Sequence, residues 1–448
     1  MMLEKTNIKY YSKRLLTIAV PIMLSNLISQ IQMLIDRMFL GHMNKLYMSA
    51  LGNVSSPLWT TMSFCFSLVI GASIMISQGV GAGNKEDTEQ YAAAMMKWNN
   101  VIPFLLFFFW LIFAKPVFIA MGVSENVLPM CLEYTRFFLP IFLVVGLEAS
   151  SMVIMQTSNY TKPLVYFGIV RSGLNVFLDW VLIFGKFGFP ALGIKGAAIA
   201  TTIAEYAGCA YAIYIFVTSK KLPTRPSLKA VMMAKIKPFI VSAKLGINTA
   251  FEDFAWNFGN LMMIRILNAI NEMAAGIYSI IFGVEILVVV IIGAIGNGTM
   301  TLTGEATGKR DVRQYKGVCM IAYGMCVIVA LVMLVVCLIC PKQLISLFTS
   351  DKAIIETCGL YLILMCINLY GKSANIIIGN GIRGSGDTKW MFYIQIFGTI
   401  FVIACASFFV FVLKFGIAGV FFAVIADELV RSIINLSKFI RITKQESW

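Results

Sequence analysis

The chain has 448 residues, of which 59% are hydrophobic and only 13% are charged. An ordinary soluble domain carries about 25% charged residues, so this composition excludes a soluble globular protein and predicts an integral membrane protein. The formal net charge of +14 does not indicate a nucleic-acid partner, because the basic residues fall in short loops between apolar segments.

Twelve apolar segments follow one another along the chain. Each is long enough to cross a hydrocarbon core of about 30 Å, which takes roughly 20 helical residues. They cover residues 14–40, 49–78, 92–121, 129–157, 163–186, 190–218, 236–267, 273–303, 314–340, 353–381, 388–413 and 416–440. These runs are too long and too uniformly apolar for the strands of a barrel. The sequence therefore predicts an all-α membrane protein with twelve transmembrane helices.

The loops between these segments alternate between basic and nearly uncharged. Lysine and arginine concentrate in the first 14 residues, in the loop 220–237 and in the loop 309–316. By the positive-inside rule these loops are cytoplasmic, and with an even number of spans both termini are cytoplasmic. The first apolar run is too long for a cleavable signal and lacks a cleavage pattern. We expect a multi-pass protein of the cell inner membrane.

The two halves of the chain repeat at a shift of about 225 residues. "MSALG" at 48–52 matches "MAAGI" at 273–277, "GAGNKEDTEQY" matches "ATGKRDVRQY", and "LGIKGAAIATTIAE" matches "FGIAGVFFAVIADE". A six-span unit returns the chain to its starting side, so we expect two lobes related by a pseudo-twofold axis along the membrane normal, as in secondary transporters. The predicted lobes are 1–219 and 238–448, joined by a basic linker at 220–237.

Polar side chains in the first half reach a similar depth in three predicted helices. Asp36 lies about 8 Å below the outer end of the first span. In the fifth span Arg171, Asn175 and Asp179 share one face, since they recur every four residues. Thr201 and Thr202 lie roughly 12 Å below the outer end of the sixth.

Charges within spans are costly and mark functional sites. Carboxylate, amide and hydroxyl oxygens suit a hard cation such as Na⁺. Two close carboxyl groups shielded from water also bind a proton near neutral pH. The pattern predicts a cation-coupling site for Na⁺ or H⁺. Arg37 neighbours Asp36, but adjacent helical residues point about 100° apart, so a structural or interfacial role is expected for it.

The second half also carries charges within its predicted spans. Glu252 and Asp253 lie near the middle of the seventh, Glu285 lies at mid-depth in the eighth, and Lys372 lies in the tenth. Two interpretations remain open for the three carboxylates: they complete a cation pocket or relay in the second half, or they form pairs between helices. Few other basic residues are expected within the membrane beyond Arg171 and Lys372.

Motifs for other chemistries are present only in part. "GNGIRG" at 379–384 has the dinucleotide-binding spacing but closes a predicted membrane helix rather than following a strand. "CINLYGKS" and "GEATGKRD" each miss the P-loop pattern. Cys337 and Cys340 form a CxxC without a second ligand pair. We expect no enzyme activity, no ATP-driven pumping, no cofactor and no metal beyond a coupling Na⁺.

The motifs resemble those of the multidrug and toxic compound extrusion (MATE) transporters over nearly the whole chain. They are "AVPIMLSNLISQIQMLIDRMFLGHM", "SALG", "GASIMISQGVGAGNKED", "GLNVFLDWVLIFG" with "LGIKGAAIATTIAE", and "GIRGSGDTKWMF" with "GIAGVFFAVIADELVR". The resemblance implies two six-helix lobes around a central cavity. It also implies export of organic cations and other amphipathic, drug-like compounds in exchange for Na⁺ or H⁺. We expect the protein to function in the lipid bilayer as a monomer.

By the same resemblance, the cation site of the first lobe comprises Asp36, Asn175, Asp179 and one of Thr201 or Thr202. Pro21 matches a proline at which the first helix bends, and Glu252 matches a coupling carboxylate of some members. The tenth span departs from those members, because Lys372 lies where an acidic residue is expected. A lipid-linked saccharide flippase of the same broader superfamily is the alternative, and a channel or membrane enzyme is a further one.

Overall fold

The computed structural model describes residues 5–271, 273–348 and 351–444, and within them every regular element is helical. The α-helices are α1 Lys5–Met43, α2 Lys45–Gly81, α3 Lys85–Trp98, α4 Val101–Ala120, α5 Leu128–Phe138, α6 Val145–Thr157, α7 Lys162–Phe184, α8 Ile194–Thr218, α9 Leu228–Met233, α10 Ile236–Asn268, α11 Ala274–Lys309, α12 Val312–Ile339, α13 Pro341–Ser346, α14 Lys352–Gly384, α15 Thr388–Ser407 and α16 Ile417–Lys444. A 3-10 helix, Leu139–Leu143, follows α5, and a π-helix, Phe408–Val412, follows α15. The all-α prediction is confirmed.

The helices combine into twelve segments at the positions of the predicted spans. Two of these are broken: α3 and α4 form the third, and α5 with α6 forms the fourth. The fourth bends by 48° between the 3-10 helix and α6. Pro140 lies in that 3-10 helix and lacks a backbone N–H, which explains the break.

Within the described residues, nine helices are long and apolar enough to cross a membrane, or ten if the bent pair counts as one span. The segments α10 and α16 are not among them, because polar and charged residues run along their length. The chain is a multi-pass membrane protein.

The chain divides into two compact units. One, called here the N-unit, comprises residues 24–80 and 84–247; the other, the C-unit, comprises the described residues within 1–23, 81–83 and 248–448. The predicted linker contains α9, which packs on α3: Lys97 Nζ donates to the Met232 carbonyl at 2.7 Å, and Trp98 Nε1 donates to the Ala234 carbonyl at 3.2 Å. The predicted lobe limits stay a prediction.

Within the N-unit, α7 and α8 pack closely along their length, and α8 also packs on α5 and α6. Gly196 permits the approach, because a Cβ there would lie 2.7 Å from the carbonyl carbon and oxygen of Leu182. Since Gly196 lies just over one turn before Thr201, this contact fixes where Thr201 meets α7.

Within the C-unit, α14 is the central helix and packs against α11, α12 and α16, while α15 packs against α16. These helices carry most of the buried charges of the unit, including Glu285, Asp427, Glu428 and Arg431. The buried charged side chains of α11 and α16 therefore lie within one bundle around α14.

Candidate functional site

Asp36 on α1 and Asp179 on α7 bring their carboxyl groups together inside the N-unit. Asp179 is fully buried, Asp36 is half-buried, and the two carboxyl groups lie close enough to interact electrostatically. Two close carboxyl groups shielded from water are suited to bind a proton or a cation. Among the described residues, Asp179 Oδ1 has no hydrogen-bond partner. The pair therefore keeps one carboxyl oxygen free for a ligand.

Asn175 lies one helical turn before Asp179 and is 1% exposed. In the orientation that pairs donors with acceptors, its amide nitrogen donates to Asp36 Oδ1 at 3.0 Å and its oxygen accepts from the Thr201 backbone N–H at 3.3 Å. The amide thus connects α1, α7 and α8. The structure brings Asp36, Asn175, Asp179 and Thr201 together.

Thr202 points elsewhere. Its Oγ1 donates to the carbonyl of Phe137 at 2.7 Å, at the end of α5. This bond fastens α8 to α5 and leaves Thr201 as the threonine beside the carboxyl pair. Arg37 is exposed, as expected for a residue about 100° around α1 from Asp36.

Three residues join this site that the sequence did not indicate. Gln32 donates from Nε2 to Asp36 Oδ2 at 3.1 Å and accepts from Ser172 Oγ at 3.1 Å. The buried Tyr134 of α5 lies near Thr201 and within electrostatic range of both carboxyl groups. Gln32 lies four residues before Asp36, a spacing that is visible in the sequence. Tyr134 lies in an ordinary aromatic stretch, so nothing in the sequence distinguishes it.

The chemistry of the site follows from its ligand set. Two carboxyl groups, two amides and three hydroxyls converge from four helices, and all of these offer oxygen ligands of the kind that hard cations prefer. Protonation of the pair and binding of a monovalent cation compete for the same negative charge. The assignment of these residues to ion coupling stays a prediction.

Two of the three carboxylates singled out in the second half, Glu252 and Glu285, are in ion pairs. Glu285 accepts from Lys372 Nζ at 2.6 Å and from Asn368 Nδ2 at 3.2 Å. Glu252 pairs with Arg383 of α14. Asp253 is half-buried at the next position of α10. Of the two interpretations of these carboxylates, the geometry of Glu252 and Glu285 is that of pairs between helices.

Two further basic residues lie among the helices of the C-unit, the half-buried Arg383 and the buried Arg431. Arg383 lies in the last turn of α14, and its side chain is 15% exposed and reaches Glu252. Arg431 on α16 contacts Asp427 at 2.5 Å and Glu428 at 3.3 Å. Arg431 lies four residues after Asp427 and three after Glu428, and this spacing is visible in the sequence. The partner of Arg383, by contrast, depends on tertiary structure.

Pro21 lies buried within α1, which is a continuous helix from Lys5 to Met43. Because proline lacks an N–H, it cannot donate the usual backbone hydrogen bond of an α-helix, which weakens α1 at this point. The role of Pro21 as a bending point stays a prediction.

Comparison with known proteins agrees with this architecture. A family model described as MatE matches residues 21–181 and 249–408, more than half of the chain. The chain is 26% identical over 449 residues to a probable multidrug resistance protein NorM of Thermotoga maritima, covering 98% of this chain and 94% of that protein. It is 27% identical over 406 residues to the uncharacterized transporter YisQ of Bacillus subtilis, covering 89% of each.

Solved structures share the fold. A variant of the MATE transporter VcmN of Vibrio cholerae matches with a TM-score of 0.89 at 19% identity, over 99% of both chains. A MOP superfamily transporter from Pyrococcus furiosus matches with a TM-score of 0.85 at 17% identity, also over 99% of both. With the family model matching most of the helices and the ordered motifs present in both halves, the chain belongs to the MatE family, the multidrug and toxic compound extrusion transporters that its motifs resemble.

Proposed function

We propose that this protein is a secondary active multidrug exporter, which moves organic cations or amphipathic compounds outward in exchange for entering Na⁺ or H⁺ by alternating access. The observation that carries the proposal is the buried Asp36–Asp179 carboxyl pair with Asn175 and Thr201 around it. A pair of acidic groups set among membrane helices has no stabilising advantage over apolar packing, so its presence there favours a functional role.

The coupling follows from two states with different affinities. Filling the pair with Na⁺ or a second proton removes its negative charge, and losing that ion restores it. If the ion favours one access state and the drug-like substrate the other, each ligand shifts the population toward its own state, and ion entry drives substrate exit. We place the protein in the cell inner membrane as a monomer with both termini in the cytoplasm, without enzyme activity and without a cofactor other than the coupling ion.

Several similar proteins carry names that support this proposal. The relatives from Thermotoga maritima, Pasteurella multocida and Photobacterium profundum are all named as multidrug resistance proteins. A relative from Shewanella oneidensis, 20% identical over 347 residues, is named an FAD transporter. The family thus includes proteins named for different cargoes, and the substrate of this chain is proposed here as a class.

The flippase alternative requires basic side chains free to bind a large anionic head group. In the C-unit Lys372, Arg383 and Arg431 are each paired with a carboxylate. Since each of these positive charges is matched by a carboxylate, the C-unit offers little net positive charge to attract a large anion. This favours the exporter. Saturable, ion-driven transport would likewise exclude the channel and the membrane enzyme.

The test is efflux of a fluorescent organic cation from vesicles containing the purified protein, with the Na⁺ gradient and the pH gradient imposed separately. We expect one gradient to drive efflux and the Asp179→Asn variant to lose that dependence. Arg37→Gln serves as the matched control, since Arg37 is an exposed charge on the same helix as Asp36. Efflux that proceeds equally without either gradient would contradict ion coupling.

A further inference from the structure

A charged cavity of about 210 Å³ lies within the C-unit, among α10, α11, α14, α15 and α16. Its walls include Glu252, Lys372, Arg383, Glu428, Arg431 and Trp256. We call it the C-unit cavity. A smaller cavity of about 50 Å³ shares Lys372, Glu428 and Arg431 with it and adds Asp427. The C-unit cavity is smaller than the roughly 300 Å³ of the smallest drug-sized pockets. It therefore suits a small ligand or the charged end of a larger one.

Positively and negatively charged side chains lie close together around the C-unit cavity. Three cations, Lys372, Arg383 and Arg431, face the carboxylates of Glu252, Glu285, Asp427 and Glu428. Asn375 donates to Glu428 Oε2 at 3.0 Å, and Gln395 accepts from Arg431 Nη1 at 3.0 Å. Amides thus hold the charged groups in place on two sides of the cavity. A rigidly held array of this kind is pre-organised to bind a ligand.

The pairs do not use all the hydrogen-bonding capacity of these groups. Among the described residues, Glu252 Oε2 and Arg383 Nε are buried without a hydrogen-bond partner. An ammonium has three donors, and the hydrogen bond of Lys372 to Glu285 uses one of them. Buried polar atoms without partners are costly, so an acceptor and several donors remain to be satisfied by a ligand.

We propose that the C-unit cavity binds a small zwitterion, of about the size of an aromatic amino acid, with its cationic end at Glu252 and Glu428 and its anionic end at Lys372 and Arg431. This deepens the proposed function by naming a substrate class, and it rests on that function. A ligand with one charge leaves an opposite wall charge unmatched in a poorly solvated site, whereas a ligand with both charges exchanges one set of pairs for another. Trp256, 45% exposed, offers a ring face to the apolar part or to the cation.

Three probes of similar size test the charge requirement. Phenylalanine carries both charges, 2-phenylethylamine lacks the carboxylate, and 3-phenylpropanoate lacks the ammonium. Their dissociation constants are measured by calorimetry on the full-length protein in lipid nanodiscs, without any ion gradient. We expect phenylalanine to bind at least about tenfold more tightly than either relative. Equal binding of the three, tightest binding of the amine, or no binding of phenylalanine would overturn the proposal.

Two variants test whether phenylalanine binds in the C-unit cavity. The double variant Lys372→Gln with Glu285→Gln removes one pair as a unit, so it leaves no unpaired charge and retains the fold. Gly398→Ala puts a Cβ 2.4 Å from Cδ of Arg431 and displaces its guanidinium without changing the charge. We expect each to weaken phenylalanine binding at least about tenfold.

The matched control for the glycine is Gly359→Ala, on α14 of the same unit, where a Cβ meets nothing within 4 Å. Phenylalanine binding that survives both test variants would contradict the assignment, whatever the controls do. The vesicle assay with a fluorescent cation is independent of these measurements. Efflux without zwitterion binding refutes only this inference, and zwitterion binding without ion-driven efflux refutes only the proposed exporter.

Discussion

Arg171 on α7 donates a hydrogen bond from Nη1 to Oε1 of Glu205 on α8 at 3.2 Å. The same guanidinium lies 4.0 Å from Glu148 on α6 and donates to Ser29 Oγ on α1 at 2.6 Å. One cation therefore joins four helices of the N-unit and offsets two carboxylates. Glu148 is 2% exposed, so it depends on this partner.

Arg171→Met should destabilise the N-unit strongly, because it leaves two carboxylates buried without a counter-charge. Removing one partner of a buried ion pair costs about 3–5 kcal/mol. The measurement is thermal unfolding of the purified protein in detergent. Adding Glu205→Gln and Glu148→Gln should restore much of the loss, and a triple variant no more stable than Arg171→Met would refute the ion-pair explanation.

Asp36→Asn and Asp179→Asn should each abolish drug resistance in a susceptible host while membrane expression remains intact. An amide cannot hold the shared proton or supply a negative charge for a cation. Resistance is measured by growth at increasing drug concentration, and expression is measured by immunoblot of membranes. Arg37→Gln is the control on α1, and resistance that persists in both aspartate variants would contradict the assignment of the pair.

Thr201→Val and Thr202→Val form a matched test of which threonine serves the ion. Thr201 loses a hydroxyl beside the carboxyl pair, so the Na⁺ or H⁺ concentration for half-maximal efflux should rise by roughly fivefold, equivalent to about 1 kcal/mol. Thr202 loses its bond to the Phe137 carbonyl, so the variant should unfold at a lower temperature with its ion dependence unchanged. The reverse assignment of the two effects would show that Thr202 is the ligand.

Gly196→Ala should separate α7 from α8, because the new Cβ would lie 2.7 Å from the backbone of Leu182. Overpacking of this kind costs about 1–3 kcal/mol, and it moves Thr201 away from Asn175. We expect weaker ion-driven efflux and a lower unfolding temperature. Gly173→Ala on α7 is the control, since a Cβ there meets nothing within 4 Å. Equal effects of the two substitutions would point to helix propensity instead.

Much of the N-unit site was predictable because its information is local. Asn175 and Asp179 share a helix face by their spacing, and Asp36 reaches the same depth by counting residues from the end of its span. Distinguishing Thr201 from Thr202 required the rotation of α8 about its axis, which depends on packing at Gly196. Tyr134 enters from α5, and no local pattern connects it to the other residues.

The ion pairs of the C-unit were harder to predict, because the two members of most pairs lie on different helices. Arg383 lies in the last turn of α14, and its partner Glu252 lies on another helix, α10, so no sequence spacing links the two. Glu285 and Lys372 lie on different helices, and only the packing of α11 on α14 brings them together. Sequence spacing specifies depth and helix face, and it does not specify which helices touch.

The closeness of Asp36 and Asp179 also sets the electrical cost of transport. Two carboxyl groups that share one proton carry a single negative charge, so one entering monovalent cation leaves them neutral. If that ion is exchanged for one monovalent organic cation, no net charge crosses the bilayer. A membrane potential of about 100 mV, worth about 2.3 kcal/mol per charge, would then not act on the exchange. The transporter would run on the ion's concentration ratio alone and continue in a depolarised cell.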